Sequence, residues 1–277
     1  MFWNKDLLFC DIHPICYAIS EQKEICKRHL KNFRSKEKIA KTLVGQHLPN
    51  VVSTHSSGLI KKGPGIDPVL QYNKAENIAI ACKEMNGLII RPGEVFSFWQ
   101  TVGKTTKRKN YKDGRVLIRN KVQASIGGGL CNLGNTIHRL VLHSPLDVVE
   151  FHSHSDALAP DNGKRIPFSA GTSISYNYID YKFKNNTDQN VQLLLWCENE
   201  RLYGELRSEK EFPYTFKLSE ENHHFHREAN GKYYRVSKIF KNTIDKSTQS
   251  VVEKKLVLDN HSEVMFDYDL IPKDMIS

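Results

Sequence analysis

The residues with the clearest chemical potential form a cysteine, histidine and aspartate series in the middle of the chain. Cys131 follows three consecutive glycines, Gly127-Gly128-Gly129, and precedes Asn132. Such glycines relieve steric limits where a strand turns into a helix and leave amide N–H groups accessible at the helix start. A thiol in that first turn has its thiolate favoured by the helix dipole, as a nucleophile requires. The amides around Gly128, Gly129 and Leu130 suit an oxyanion hole, which Asn132 would adjoin. A thiolate also needs a base and a group to orient it. His152 and His154 lie two apart, on one face if the segment is a strand. Asp180 sits inside Tyr178-Ile179-Asp180-Tyr181-Lys182-Phe183, a costly place for a carboxylate unless it is paired. The order Cys131, His152 or His154, Asp180 is that of transglutaminase-like and papain-like enzymes, and the chemistry would be acyl transfer or amide hydrolysis. A structural reading competes: the glycines permit close helix–strand packing, Cys131 fills a small space, the histidines are solvated, and Asp180 bonds a turn or Arg207.

Glu94 offers a second chemistry. In Arg91-Pro92-Gly93-Glu94-Val95-Phe96-Ser97-Phe98-Trp99 it stands beside aromatic residues that would raise its pKa by desolvation, as a glycan-cleaving acid requires. Alternatively it is a turn carboxylate paired with Arg91. His152, His154 and Cys131 supply three possible metal ligands, but no fourth is spaced to match, so no metal or other cofactor is expected. His223-His224-Phe225-His226 reads as a solvated turn. The glycine run fits neither phosphate-binding fingerprint, which excludes nucleotide binding on that ground.

These groups need elements to hold them. Apolar residues Leu130, Leu133, Ile137, Leu140 and Val141 recur at helical spacing, so a helix runs from about 130 to 143 and stops at Ser144-Pro145. Upstream, 20–48 reads as one or two basic helices, 51–68 as a loop, and 74–86 as a helix ended by Gly87. Strands are expected at 88–90, 95–99, 116–118, 121–125, 148–152, 172–177 and 179–185. A hairpin is expected at 191–198 and 201–207, turning at Asn199-Glu200, with further strands at 214–218, 233–241 and 250–258. The fold class is α+β, an antiparallel-rich sheet with a few packed helices, one of them starting at the glycine–cysteine turn. Three parts are expected: a helical segment and loop over 1–68, a core over 69–208, and a β-rich extension over 209–277.

Composition bounds the rest. In 277 residues, 39% hydrophobic and 10% aromatic content is enough for a packed core. The net charge of +9 is spread along the chain and permits anionic partners without selecting one. The six cysteines form no CxxC pair, so a reduced compartment is expected, with Cys82 as a small buried hydrophobe. No apolar run is long enough to span a bilayer, and the first twenty residues lack the basic leader and apolar centre of a secretory signal, which points to the cytoplasm.

Taken together, Arg91–Trp99, Tyr111-Lys112-Asp113-Gly114, Gly127-Gly128-Gly129-Leu130-Cys131, His143-Ser144-Pro145-Leu146, His152 and His154, and Ile179–Asn185 resemble the VanW family, in its short form, over about residues 70 to 200. The resemblance implies an accessory role in glycopeptide resistance or cell-envelope metabolism, with a peptidoglycan fragment or precursor as partner and no nucleic acid. It also marks two departures: Asn132 stands where the family has Gln after the cysteine, and Phe151 where it has Arg. On this reading Cys131 is the nucleophile, His152 or His154 the base and Asp180 the orienting group, while Glu94 and the amides of Gly129 and Leu130 position the substrate. The alternatives are a glycan-cleaving enzyme using Glu94 and a non-catalytic binding module.

Overall fold

The computed structural model describes residues 8–63, 66–118, 121–153, 156–157 and 171–277. It opens with a short helix, α1 (Phe9–Ile12), and a long one, α2 (Pro14–Arg34). Proline at the first helical position and the His13 ring, which accepts from the Ile15 amide, start α2. The helix stops at Ser35, so the helical spacing of Ile39 and Leu43 is misleading: Ile39 bridges Val95 in parallel, and β1 (Thr42–Leu43) is a strand. A second correction follows at β2 (Asn50–Gly58), nine residues of strand where a loop is expected. Next comes α3 (Pro68–Lys83), capped by the Asp67 carboxylate, which accepts from the Val69 and Leu70 amides. It begins six residues earlier than the apolar spacing suggests.

Strand β3 (Leu88–Ile90) leads through the Pro92-Gly93 turn to β4 (Val95–Ser97), where the expected strand is cut short. The Ser97 hydroxyl accepts from the Gln100 amide and starts the short helix α4 (Phe98–Val102). A hairpin of β5 (Asp113–Ile118) and β6 (Lys121–Ile126) feeds the glycine turn and α5 (Cys131–Leu142), followed by β7 (Asp147–Glu150). After β8 (Asp156–Ala157), residues 172–177 form isolated bridges, Ser153 to Thr172 and Ser175 to Ile179, in place of the expected strand. The chain closes with β9 (Lys182–Lys184), the hairpin β10 (Val191–Glu198) and β11 (Arg201–Ser208), and three long strands, β12 (Tyr214–Arg227), β13 (Tyr233–Asp245) and β14 (Val251–Val264). Asn199 and Glu200 both adopt positive φ, 48° and 56°, as a two-residue hairpin turn requires.

The architecture is α+β, as the sequence implies. One five-stranded sheet runs β1-β3-β10-β11-β2 with every pairing antiparallel. A second, β4-β9-β7, carries the residues around Asp180, and a third, β12-β13-β14, accepts β8 in parallel at its edge. The core lies where α3 and α5 cover the first two sheets, through Ile78, Met85, Leu133, Ile137, Phe96, Phe183 and Leu206, all buried. The third sheet joins it through Ile239 against Leu142 and through Lys241, whose ammonium donates to the carbonyls of Ser144 at 2.6 Å and Leu146 at 3.3 Å. The second of these sheets and the N-terminus of α5 hold the residues singled out for chemistry.

Candidate functional site

The glycine turn has a packing reason at each position. Gly127 and Gly129 take φ of 76° and 99°, a region costly for any other residue. Gly128 and Gly114 press backbone to backbone, so that a Cβ on either would sit well inside contact distance of the other's carbonyl. Asn77 of α3 locks this contact: its amide donates to the carbonyls of Lys112 and Gly128, both at 3.0 Å, and its Oδ1 accepts from the Lys112 amide at 2.8 Å. The side chain of Lys74 fills the space where a Gly129 Cβ would stand. Burial, reinforced by Lys61 and Arg115, lowers the Lys74 ammonium to about 8, and its Nζ donates to Gln71. Asn77 and Lys74 escape sequence reasoning because nothing in the chain pattern separates them from other polar helix residues.

Cys131 is the first residue of α5, as expected, but its surroundings oppose ionisation. Its Sγ lies 3.7 Å from the Ile174 carbonyl, to which the thiol donates. Desolvation pushes its pKa up, outweighing the hydrogen bonds from the backbone that pull it down. The segment after Gly171 lies across this helix start: the Thr172 amide donates to Asn135 Oδ1 at 2.6 Å, and Ile174 packs on Gly134. Asn132 is also engaged, its Oδ1 accepting from Ser57 Oγ at 2.9 Å and its Nδ2 donating to the Gly58 carbonyl. The side chain that follows the cysteine therefore ties α5 to β2.

His152 turns to a different partner. Its Nε2 is 3.2 Å from Glu150 Oε1, and Glu150 in turn takes both Arg28 nitrogens of α2, one at 2.7 Å. Lys182 stands 3.9 Å from the same carboxylate and 2.8 Å from Glu37. Desolvation works to raise the Glu150 pKa, but the Arg28 and His152 hydrogen bonds and the Arg28 and Lys182 charges overcome it and hold it at about 2. Arg28 also donates to the Tyr178 carbonyl, so the cluster ties α2 to the β7–β9 sheet. Glu150 was legible as a neighbour of His152; Arg28, 122 residues away, was not.

Asp180 is fully buried and satisfied by hydrogen bonds, one from its neighbour Tyr181 and two from the distant start of α4. Oδ2 accepts from Ser97 Oγ at 2.5 Å, and Oδ1 accepts from the Trp99 and Tyr181 amides at 3.0 and 2.9 Å. Burial raises its pKa, against the pull of the Ser97 hydroxyl. The expected strand over 179–185 is shortened to β9, so Asp180 lies just before it; these contacts pin α4 to that segment, and among the described residues no imidazole bonds to Asp180. Arg207 instead pairs with Glu205. Glu94 accepts from the Arg91 amide at 2.9 Å and lies 3.4 Å from its guanidinium, at the Pro92-Gly93 turn. His154 lies outside the described residues. Among those described, no three His, Cys, Asp or Glu side chains are grouped to hold a metal, and no helix is long and apolar enough to cross a membrane.

A cavity of about 330 Å³ opens between the end of α5 and the third sheet, a size within the range of small-ligand sites. Leu142, Leu146, Phe151, Phe216 and Leu256 give it an apolar lining, and Lys241, Lys255, Asp147 and Glu253 bring both signs of charge to it. The Lys241 ammonium lies 4.8 Å from the Phe216 ring centre, and burial lowers its pKa to about 8. His138 faces the same space; its Nδ1 meets the Tyr181 hydroxyl at 3.0 Å and its ring stacks on Phe151. Burial, helped by Arg139 and Lys241, lowers it to about 3, so it is neutral.

Residues 73–207 match the family described as VanW like protein. Among curated proteins, the chain is 28% identical over 227 residues to the vancomycin B-type resistance protein VanW of Enterococcus faecalis (strain ATCC 700802 / V583), covering 82% of each chain. It is 26% identical over 119 residues to the uncharacterized protein YoaR of Bacillus subtilis (strain 168), covering 43% of this chain and 38% of YoaR. No solved structure matches it.

Proposed function

This chain belongs to the VanW family, and from that premise we propose that it is an accessory protein of glycopeptide resistance or cell-envelope metabolism that binds a peptidoglycan peptide or its precursor without cleaving it. The observation that carries this reading is the cavity beside Lys241. An apolar lining with a few convergent charges of both signs suits a short peptide that has aliphatic side chains, an ammonium group and a terminal carboxylate. Lys241 is the natural partner of that carboxylate, since two of its protons already point at fixed carbonyls and hold the ammonium in place. Asp147, which already meets Asn186 and Lys255, and Glu253, which accepts from Thr243, bring to the cavity the negative charge that an ammonium group would answer.

The catalytic alternatives have weaker support. Thiol attack needs an ionised sulfur with a base at hand, whereas burial raises the Cys131 pKa and His152 is bound to Glu150. Glycan cleavage needs a carboxylic acid kept protonated, whereas Glu94 is held by Arg91. The test is to incubate the protein and its Cys131→Ser and Glu94→Gln variants with peptidoglycan and soluble precursors, and to analyse the mixtures by mass spectrometry. Binding with no new amino or sugar ends is expected. New amino ends that disappear in Cys131→Ser would overturn the reading in favour of the thiol enzyme, and altered sugar ends lost in Glu94→Gln would do so in favour of the glycan-cleaving one.

A further inference from the structure

A second group of charges has no carboxylate among the described residues to answer it. Arg139 and His143 stand one turn apart on the side of α5 that meets β2. Strand β2 is the edge of its sheet. Ser53 Oγ of β2 donates to the Leu140 carbonyl, and Ser57 Oγ meets Thr136 Oγ1 at 3.3 Å, so the two elements run side by side with residues 53, 55 and 57 facing the helix. His55 lies between them, opposite Gly204, where the missing side chain makes room for Leu140.

Among the described residues the Arg139 guanidinium, though half-buried, has neither a hydrogen-bond acceptor nor an ion-pair partner. His143 Nδ1 is 2.8 Å from the Arg139 carbonyl, to which it donates, and among the described residues Nε2 has no bond. Among the described residues the His55 ring likewise makes no hydrogen bond. Arg201 lies near, with one nitrogen on Ser56 Oγ. A half-buried arginine ordinarily finds a carboxylate, because a desolvated guanidinium without an acceptor is costly. Beside His143 opens a groove of about 510 Å³ floored by the start of β2 and Phe212, whose one carboxylate, Glu211, bonds Lys246.

We propose that Arg139, His55 and His143 form a binding site for a phosphate group, with Arg139 giving a forked pair of hydrogen bonds and the two imidazoles closing on the remaining oxygens. The site is separate from the cavity beside Lys241 and does not rest on the peptide reading. Its electrostatics agree with its geometry: burial and then the charges of Arg139, His143 and Arg201 hold His55 down at about 4, a field that a bound dianion would reverse.

The test follows the His55 and His143 ring signals of the full chain by NMR while inorganic phosphate, and separately phosphatidylglycerol vesicles against neutral ones, are added. Inorganic phosphate should shift both rings saturably, and Arg139→Gln should weaken binding at least about tenfold, the usual cost of losing a charged hydrogen bond. Arg139→Lys, which keeps the charge but not the fork, should fall between. A shift caused by anionic vesicles alone and lost in Arg139→Gln would equally support the site, with a lipid headgroup as the phosphate source. No ring shift with either probe, or shifts that persist in a folded Arg139→Gln protein, would overturn it.

Discussion

At the level of single residues, Cys131, His152 and Asp180 lie in three separate local arrangements, those of Cys131 and Asp180 set by burial and that of His152 by its bond to Glu150. Cys131 is a hydrogen-bonded thiol, so its alkylation at neutral pH should be no faster than that of a free model thiol; a mass-spectrometric rate well above that value would show an activated sulfur. Arg28 and Glu150 form a charge pair with side chains only 9% and 15% exposed. Removing the guanidinium strands a buried carboxylate, and Arg28→Ala should cost toward the lower end of about 3–5 kcal/mol, because Lys182 and His152 remain. The pair also sets a pH dependence. Glu150 is held at about 2 in the fold against an ordinary 4.5, so its contribution is present above 4.5 and is lost as pH falls from there toward 2. Urea midpoints measured from pH 6 to 2 should drop less steeply in Arg28→Ala than in the parent. That Asp180 needed partners was legible from a carboxylate set among apolar and aromatic residues. That they would be Ser97 and Trp99 was not, since they come from more than 80 residues earlier.

At the level of elements, the same glycine turn that suggests a nucleophile's seat is required by packing. Gly128→Ala would drive a methyl group into the Gly114 backbone, which has no rotamer with which to escape, and should cost at least the 1–3 kcal/mol typical of overpacking. Thermal denaturation checks this: a melting temperature within a degree of the parent would mean the two backbones are not in contact. Helix α5 was legible because its buried residues recur at helical spacing, and the β10–β11 hairpin because two β-favouring runs are separated by only two residues, the first an Asn, which tolerates positive φ. Strand β2 was not, since an edge strand rich in Ser, Thr and His shows no apolar alternation and draws its stability from pairing with β11. The start of α3 carried a readable signal, Asp67 before Pro68, that the apolar spacing alone overlooks.

At the scale of the whole molecule, the third sheet does more than extend the chain. It meets the end of α5 through Ile239 and Lys241 and completes the wall of a cavity whose other side comes from 138–151. A joint between two layers is a usual place for a ligand, and here one layer comes from within the matched residues 73–207 and the other from beyond them. Pairing across such a sequence distance leaves no local pattern, so this cavity could not be read from the chain. The most direct measurement is calorimetric titration of the protein with a soluble peptidoglycan stem peptide bearing a free terminal carboxylate, alongside the same peptide amidated at that end. We expect saturable binding of the free acid, weakened at least about tenfold both by amidation and by Lys241→Met in a protein that still melts cooperatively. Equal binding of the two peptides, binding that survives Lys241→Met unchanged, or no binding at all would contradict it.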